Sequence, residues 1–374
     1  MICLIPYSIL SFENKTEGDI METVDQNTET VAVSKKINPE HILKIGMGFF
    51  ASKTLLAAVN MGLFTQLALR SQTALEIKET LGLHRRSYLD FLDSLVALGF
   101  LEREGTDSEA IYSCTEETEI FLDKNKPSYL GGILEMGNNR LFKYWNDLED
   151  GLKTGLPQNE LKYKRTENIF EGIYSNFESL NEFLRAMSGV QAGAFISFAK
   201  QFDFSGYSTF CDAGGGNGSL CIQVALQNPH MSCVNFDLPQ VEEVAHATIE
   251  DSGLSEKIKT TGGDFFRDPL PESDVIAMGN ILHDWSKEER LILMKKVYNA
   301  LPPGGAFVCI EDIIDNRRRE NAFGLLMSLN MLIETKAGAN FTFNDFDEMA
   351  HRSGFSKTDW MPLAGPSSAA IAYK

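Results

Sequence analysis

The sequence is short of positive charge. Of its 374 residues, 34 are Lys or Arg against 52 Asp or Glu, a formal net charge of −18. Binding to phosphates is driven by clustered cations, so this balance argues against a nucleic-acid partner. The chain also lacks any Cys-x-x-Cys pair. Its six cysteines, Cys3, Cys114, Cys211, Cys221, Cys233 and Cys309, are scattered, and four of them fall in the strand and helix pattern of the C-terminal half. They read as buried free thiols in a reducing cytoplasm. No run approaches the roughly 18 apolar residues of a membrane span, so no membrane partner is expected. Met1 to Leu10 is apolar, but no positive residue precedes the run and no small-residue cleavage site follows it, which argues against a secretory signal. No internal repeat or low-complexity linker is visible. What remains is a chain long enough for two domains and a large core, with a composition that suits a small-molecule substrate.

Four regions follow along the chain. Residues 1–38 end in a polar, acidic stretch rich in Thr, Glu and Asn, expected to be a disordered tail, with Met21 as an alternative start. From Pro39 the pattern turns helical, with Ile42, Ile45, Phe49, Leu55, Leu56, Val59 and Leu63 at helical spacing. Helices over Ala74–Leu81 and Tyr88–Leu98 lead into a hairpin of residues 100–104 and 110–114, which gives 39–125 a winged-helix plan. Such a unit suggests DNA binding, and Arg85 and Arg86 open its second helix. The body of that helix, Tyr88-Leu-Asp-Phe-Leu-Asp-Ser-Leu-Val, suits a protein interface better than phosphates. Residues 126–200 read as further helices carrying Met136, Phe142, Tyr144, Trp145, Phe170, Tyr174, Phe177, Phe183 and Met187, for most of which helix packing is the plain reading. In the last region, 201–374, strands near 208–213, 231–236, 258–262, 274–280 and 306–312 alternate with helices. Two more strands follow, near 357–362 and 368–373. This predicts an α/β fold, a doubly wound parallel sheet.

The most informative stretch is Phe210-Cys-Asp-Ala-Gly-Gly-Gly-Asn-Gly-Ser219, an apolar strand running into a glycine cluster and then into a helix over Leu220–Gln227. Glycines let backbone turn tightly and approach a ligand closely, and the N–H groups at the helix start suit an anion. The spacing is Gly-x-Gly-x-Gly, with Ser219 where the dinucleotide fingerprint needs its last glycine, so the loop is tilted away from NAD. A second strand ends in Asp237, about twenty residues on, where an acid meets ribose hydroxyls. A nucleoside-containing cofactor follows. Asp212, Asp237, Asp264, His283, Glu311 and Asp312 all fall at strand ends, where ligands bind in an open parallel sheet. An acid there also caps the next helix in many folds, but repetition at successive strands is not explained by capping alone.

Five motifs occur in order: Asp212-Ala-Gly-Gly-Gly-Asn-Gly218, Asp237-Leu-Pro239, Gly263-Asp-Phe-Phe266, Leu282-His-Asp-Trp285 and Leu301-Pro-Pro-Gly-Gly305. Together they resemble the S-adenosylmethionine-dependent small-molecule O-methyltransferases of the caffeate, acetylserotonin and hydroxyneurosporene type, from about Ile42 to Lys374. The resemblance implies a Rossmann-like catalytic domain of the class I methyltransferase type, S-adenosylmethionine as cofactor, and a homodimer built by the winged-helix domain. By the same resemblance Asp237, with Leu238, holds the ribose, and Asp264 and Phe265 bracket the adenine. Asp212 organises the loop of Gly214, Gly216 and Gly218 near the methionine end, and Asn280 follows the fourth strand. His283 is the general base, oriented by Glu311. Methyl transfer is an in-line displacement, and a phenol of pKa about 10 is mostly protonated at neutral pH, so a base that takes its proton serves the chemistry. The connecting helices lie over the active site in that family, so Trp145 and Met187 are pocket candidates, with Asn280, Met327, Asn330 and Met331. Met327 and Met331, four apart, also read as the buried face of a helix.

Two departures stand out. Ala337-Gly-Ala-Asn340-Phe-Thr342 replaces the family's Gly-Gly-x-Glu-Arg-Thr, so Asn340 stands where a second carboxylate accompanies the base, and Gly279 stands where relatives often carry a Lys. Asn340 can hydrogen-bond but cannot neutralise an imidazolium. Methylation at carbon or nitrogen, non-methylating chemistry such as hydroxylation or cyclisation, and a winged-helix regulator therefore stand as alternatives. One His among adjacent acids is not a typical ligand set, so no metal is expected.

Overall fold

The computed structural model describes residues 37–163, 174 and 177–374. The tail up to residue 36, Cys3, the alternative start at Met21, and Phe170 lie outside the described residues. The chain divides into two compact units, one ending at Asp123 and the other beginning at Lys124.

In the first unit, helices Glu40–Gly46, Phe49–Asn60, Leu63–Leu69, Ala74–Thr80 and Tyr88–Ala97 accompany a small antiparallel sheet. Its strands are β1 (Gln72–Thr73), β2 (Leu101–Glu104) and β3 (Ile111–Cys114), in the order β1-β3-β2. Thr73 starts the Ala74–Thr80 helix with a capping box: its hydroxyl accepts from Glu76 N–H (3.2 Å), and its own N–H donates to the Glu76 carboxylate (2.7 Å). Leu63, Phe64, Ile77, Leu92, Leu95 and Tyr112 form the buried centre. Burying each aliphatic side chain contributes roughly 1.5–3 kcal/mol. Ile42, Ile45, Phe49 and Phe50 are exposed. The stretch Glu40–Asn60 is also long and apolar enough to cross a membrane by length and composition, which corrects the expectation that no run approaches span length. That expectation counted uninterrupted apolar residues, whereas here Lys44, Ser52, Lys53 and Thr54 interrupt a strongly apolar helical stretch.

The second unit is built on a seven-stranded sheet of order β6-β5-β4-β7-β8-β10-β9. Its strands are β4 (Thr209–Ala213), β5 (Ser232–Asp237), β6 (Ile258–Gly262), β7 (Val275–Gly279), β8 (Ala306–Glu311), β9 (Lys357–Pro362) and β10 (Ser368–Tyr373). β4 to β8 are parallel, and β10 runs antiparallel to both β8 and β9. Alternate side chains enter separate cores on the two faces. Val275 and Ala277 join Phe210, Val308 and Ile371 on one face, whereas Ile276 and Met278 join Phe307, Cys309 and Ala370 on the other. A sheet covered on both faces accounts for strands that are apolar without polar alternation. The chain steps outward from β4 to β5 and β6, then returns to β7 on the other side of β4. The β4/β7 edge is therefore the switch point, and ligands bind beyond the carboxyl ends of strands at such a point. The 25-residue helix Phe177–Gln201 packs on Gly131–Met136 and on Ser219–Gln227, the helix after the glycine cluster. Between Gly131–Met136 and Phe142–Trp145 the backbone makes a π-helical turn, Gly137–Leu141.

Candidate active site

The loop after β4 is shaped by backbone that only glycine adopts freely: Gly214, Gly216 and Gly218 have φ of 82°, 52° and 87°. Gly215 is required for a different reason. A Cβ there would lie 2.0 Å from Asn235 Oδ1 and 2.9 Å from Asp212 Oδ2. Asp237, at the end of β5, supports the loop from below. Its Oδ2 accepts from Gly216 N–H at 2.8 Å and its Oδ1 from Leu238 N–H at 2.7 Å. Burial raises this carboxyl to about 6 against the pull of those two donors. Asp212 is 2% exposed and is raised further, to about 8, by burial and then by the nearby Asp237 charge. Asn217 ties the loop to the long helix, because its Oδ1 accepts from Ser188 Oγ and from Ser219 Oγ, each at 2.7 Å.

Asp264 lies after β6 and is occupied locally: its Oδ1 accepts from Phe266 N–H (2.8 Å), and Arg267 Nε lies 3.4 Å from its Oδ2. Phe265 and Phe266 both meet the Trp285 indole edge to face, at 6.0 and 4.6 Å between centroids. Asn280 takes a φ of 52° at the end of β7 and donates its N–H to Ile310 O at 2.9 Å. This turn sends Ile281 back over Gly214 and starts the single 3₁₀ turn Leu282–Asp284.

His283 sits in that turn, 7% exposed. Its Nδ1 is 2.9 Å from Glu311 Oε2 and its Nε2 is 3.5 Å from Asp284 Oδ1, while its backbone N–H donates to Glu311 Oε1 at 3.2 Å. The ring N–H is not directed along the Nδ1–Oε2 line, so the contact is an ion-pair distance without a well-formed hydrogen bond. Burial alone would lower the imidazole pKa. The charges of Glu311 and then Asp284 outweigh it and raise the group to about 9. Asp284 itself is pushed up to about 6, chiefly by burial. Arg290 holds the turn from behind, donating from Nε to Leu282 O (2.8 Å) and from its Nη2 to Ala339 O, with the guanidinium 4.9 Å from the Phe341 ring. Gly338 closes the same side, where a Cβ would fall 2.5 Å from His283 O and from Thr335 Oγ1.

Asn340 Nδ2 donates to the Asp312 carbonyl at 3.0 Å, so it braces the strand end after β8. The carboxylate on the Nε2 side of the ring is Asp284.

Helix Ala322–Glu334 contacts the Leu282–Asp284 turn and the helices Phe142–Trp145 and Leu148–Thr154. Met327, Asn330, Met331 and Glu334 follow one another on a single stripe at helical spacing. Trp145 Nε1 donates to Asn330 Oδ1 at 2.9 Å, and Asn330 Nδ2 approaches Met327 Sδ at 3.8 Å, so three of the sequence-predicted pocket residues stand together. Met331 is 6% exposed. Met187, half-buried on the long helix, precedes Ser188 by one residue and so lies about 100° round the axis from it. Sequence reading overlooked Glu334 and Arg140. Glu334, 2% exposed, is one turn beyond Asn330, and its Oε2 accepts from Arg140 Nε at 3.0 Å. The i, i+3, i+4, i+7 stripe was the available signal for Glu334; nothing local marks Arg140, whose partner is 194 residues away.

Residues 145–356 match the family model of the O-methyltransferase domain, and residues 43–124 match that of the O-methyltransferase dimerisation domain. The chain belongs to the O-methyltransferase family. This O-methyltransferase is 36% identical over 336 residues to the tetracenomycin polyketide synthesis 8-O-methyl transferase TcmO of Streptomyces glaucescens, covering 90% of this chain and 97% of that one. It is 32% identical over 294 residues to the N,N-dimethyltransferase OxyT of Streptomyces rimosus, covering 77% and 82%. Human N-acetylserotonin methyltransferase, solved in complex with S-adenosylmethionine, superposes with a TM-score of 0.84 at 27% identity, covering 91% of this chain and 99% of that one. The enzyme is S-adenosylmethionine-dependent, and its second unit has the class I methyltransferase fold. The residues present suit that cofactor: a glycine cradle that a single Cβ would fill, opened at the switch point, with a half-buried acid at the end of the next strand.

Proposed function

We propose that this O-methyltransferase transfers a methyl group to a hydroxyl of a small aromatic or enolic metabolite, with His283 as general base. The observation that carries this reading is the placement of the imidazole between two carboxylates, Glu311 at Nδ1 and Asp284 near Nε2, in a buried turn at the switch point. A base so placed has high proton affinity, and the imidazolium formed as it takes the hydroxyl proton is neutralised on both sides. The neighbouring stripe of Met327, Asn330 and Met331 beside Trp145 offers apolar surface with a polar pair, the composition of a pocket for a flat ring. Relatives named for 8-O-methylation and for acetylserotonin O-methylation support an aromatic hydroxyl as acceptor.

In the same reading Asp237 with Leu238 holds the cofactor ribose, Asp264 and Phe265 flank the adenine, and Gly214, Gly216 and Gly218, organised by Asp212, receive the methionine end beside Asn280. When bound, the cofactor supplies an electrophilic sulfonium methyl; the protein's part is to orient the acceptor, exclude water and take its proton. The enzyme works as a cytoplasmic homodimer, supported by the match to a dimerisation domain, by the exposed Ile42, Ile45, Phe49 and Phe50, and by thiols that form no disulfide at Cys211, Cys221, Cys233 and Cys309. Substituting His283→Ala tests the base: methylation of a phenolic acceptor is expected to fall by about 100-fold or more while S-adenosylhomocysteine still binds. Undiminished turnover would overturn the base role.

Methylation of an amine is a second reading with a specific observation behind it, the similarity to an enzyme named as an N,N-dimethyltransferase. Methylated amines, rather than ethers, among the products of an acceptor screen would select it.

A further inference from the structure

We infer that Glu334 is a specificity-determining residue whose Oε1 reads a second hydroxyl on the acceptor, so that the acceptor class is a polyhydroxylated aromatic rather than a simple phenol. This rests on the proposal that acceptors are methylated beside His283.

Glu334 is 2% exposed, and its two oxygens differ sharply. Oε2 is held by Arg140 Nε at 3.0 Å, whereas the buried Oε1 makes no well-formed hydrogen bond with any described residue. Asn159 Nδ2 goes to the backbone carbonyl of Glu334 at 2.8 Å, Trp145 Nε1 to Asn330, and the Tyr144 hydroxyl to Glu160 at 2.6 Å. Arg140 is itself fixed, because its Nη1 and Nη2 grip Glu160 at 2.8 and 2.9 Å and the guanidinium lies 5.1 Å from the Tyr144 ring. It sits in the π-helical turn Gly137–Leu141, a local rewinding that often marks a functional position in a helix. The ion pair with Arg140 locks the orientation of Glu334. A buried carboxyl oxygen left unpaired costs on the order of 1–3 kcal/mol, so a fold that keeps one has a use for it.

Its position supplies the use. Glu334 ends the stripe Met327, Asn330, Met331, and its helix contacts the turn that carries His283 and Asp284. Burial raises the Glu334 carboxyl, Arg140 opposes that, and Glu334 in turn contributes to raising Asp284, which puts the two acids within electrostatic reach of one another. The unpaired oxygen therefore stands at the far end of the stripe from Met327, displaced from the base. A hydroxyl on a ring lying along the stripe would satisfy it while another hydroxyl meets His283. A site built to accept a hydrogen bond discriminates strongly against the analogue that lacks the donor, since the buried acceptor is then left unpaired.

The test compares 1-naphthol with the dihydroxynaphthalene isomers, following S-adenosylhomocysteine release with the full-length enzyme. For at least one isomer, kcat/KM is expected to exceed that of 1-naphthol by about tenfold or more, and in Glu334→Gln the ratio is expected to fall to below about threefold. The same isomers titrated calorimetrically into the enzyme with S-adenosylhomocysteine bound should show the same preference in Kd, and Glu334→Gln should lose it. Glu334→Asp, which keeps the charge but withdraws the oxygen by one methylene, serves if the glutamine variant does not fold, and should also lose the preference. A ratio equal in wild type and variant, or both acceptors weakened alike, would overturn the assignment and leave Glu334 a purely structural partner of Arg140. Wild-type enzyme that methylates none of these phenols while binding S-adenosylmethionine would overturn the acceptor reading itself, and this proposal with it. Selective methylation of 1-naphthol alone would retain that reading and sink only this one.

Discussion

His283 Nδ1 lies 2.9 Å from Glu311 Oε2, yet the ring N–H does not point at that oxygen. The pair is close enough for its charges to interact fully, and a small rotation of either side chain would complete the hydrogen bond. Catalytic contacts are often loose until substrate compresses them.

The pH profile follows from that pair. His283 acts as a base only when neutral, and its pKa is raised to about 9 by Glu311 and Asp284. The kcat/KM of wild type is therefore expected to climb with pH through the neutral range toward 9. Glu311→Gln removes the largest raising charge, so the acidic limb should move to lower pH while the plateau drops by about tenfold or more. Unmoved limbs in matched profiles with one acceptor would contradict the pairing.

Asp237 gives a binding prediction. Calorimetric titration should show micromolar affinity for both S-adenosylmethionine and S-adenosylhomocysteine. Asp237→Ala should weaken both by roughly tenfold to a hundredfold, the loss of a charge-assisted hydrogen bond. Wild-type affinity should decline as pH falls through about 6, where this carboxyl gains its proton. Binding of NAD in place of either ligand would show that the glycine loop has been misread.

Asp212 gives a stability prediction for the enzyme without cofactor. Its folded pKa is about 8 against an ordinary 3.8, so between those values the folded state holds a proton that the unfolded chain has released. The associated stability is fully present below pH 3.8 and is lost as pH rises toward 8, at up to about 1.4 kcal/mol per pH unit. Asp212→Asn has no proton to lose. The gap in Tm between this variant and wild type should therefore move in the variant's favour from pH 4 to pH 8. A gap independent of pH would show the carboxyl to be ionised throughout.

The apolar surface of the first unit makes the fourth case. Phe49 and Phe50 are about half exposed, at 51% and 58%, and their rings pair at 4.4 Å without a covering neighbour in the core. Light scattering should give the mass of a dimer for wild type and of a monomer for a Phe49→Asp, Phe50→Asp variant. A monomeric wild type would remove the dimer from the reading.

Much of this was legible from residue order. The parallel strands were visible as short apolar runs broken by Gly, Asp and Pro, and β4 to β8 lie within two residues of where the sequence put them. Asp237 under the glycine loop and His283 beside Glu311 followed from residues at strand ends, because an open sheet brings those ends together. Glu334 and Arg140 were not legible, since a salt bridge between residues 194 apart leaves no periodic trace. For Asn340 the place in a motif was readable, but the direction of its amide, toward Asp312 O, depends on a strand end 28 residues away. Asp284 stood in plain view in the motif next to His283. Only the tight 3₁₀ turn puts its carboxylate on the Nε2 side of its neighbour's ring.

The long helix Phe177–Gln201 holds the glycine loop through Ser188 and Asn217, and only about 3 Å of helical rise separates that grip from its other one. At Ala186, two residues earlier, it packs against Gly132, on the segment that runs on to Arg140 and Trp145. A single rod thus touches both the glycine loop and the segment that runs on to Arg140 and Trp145. Any coupling carried along it would be reciprocal, the acceptor altering cofactor affinity by the same factor as the cofactor alters acceptor affinity.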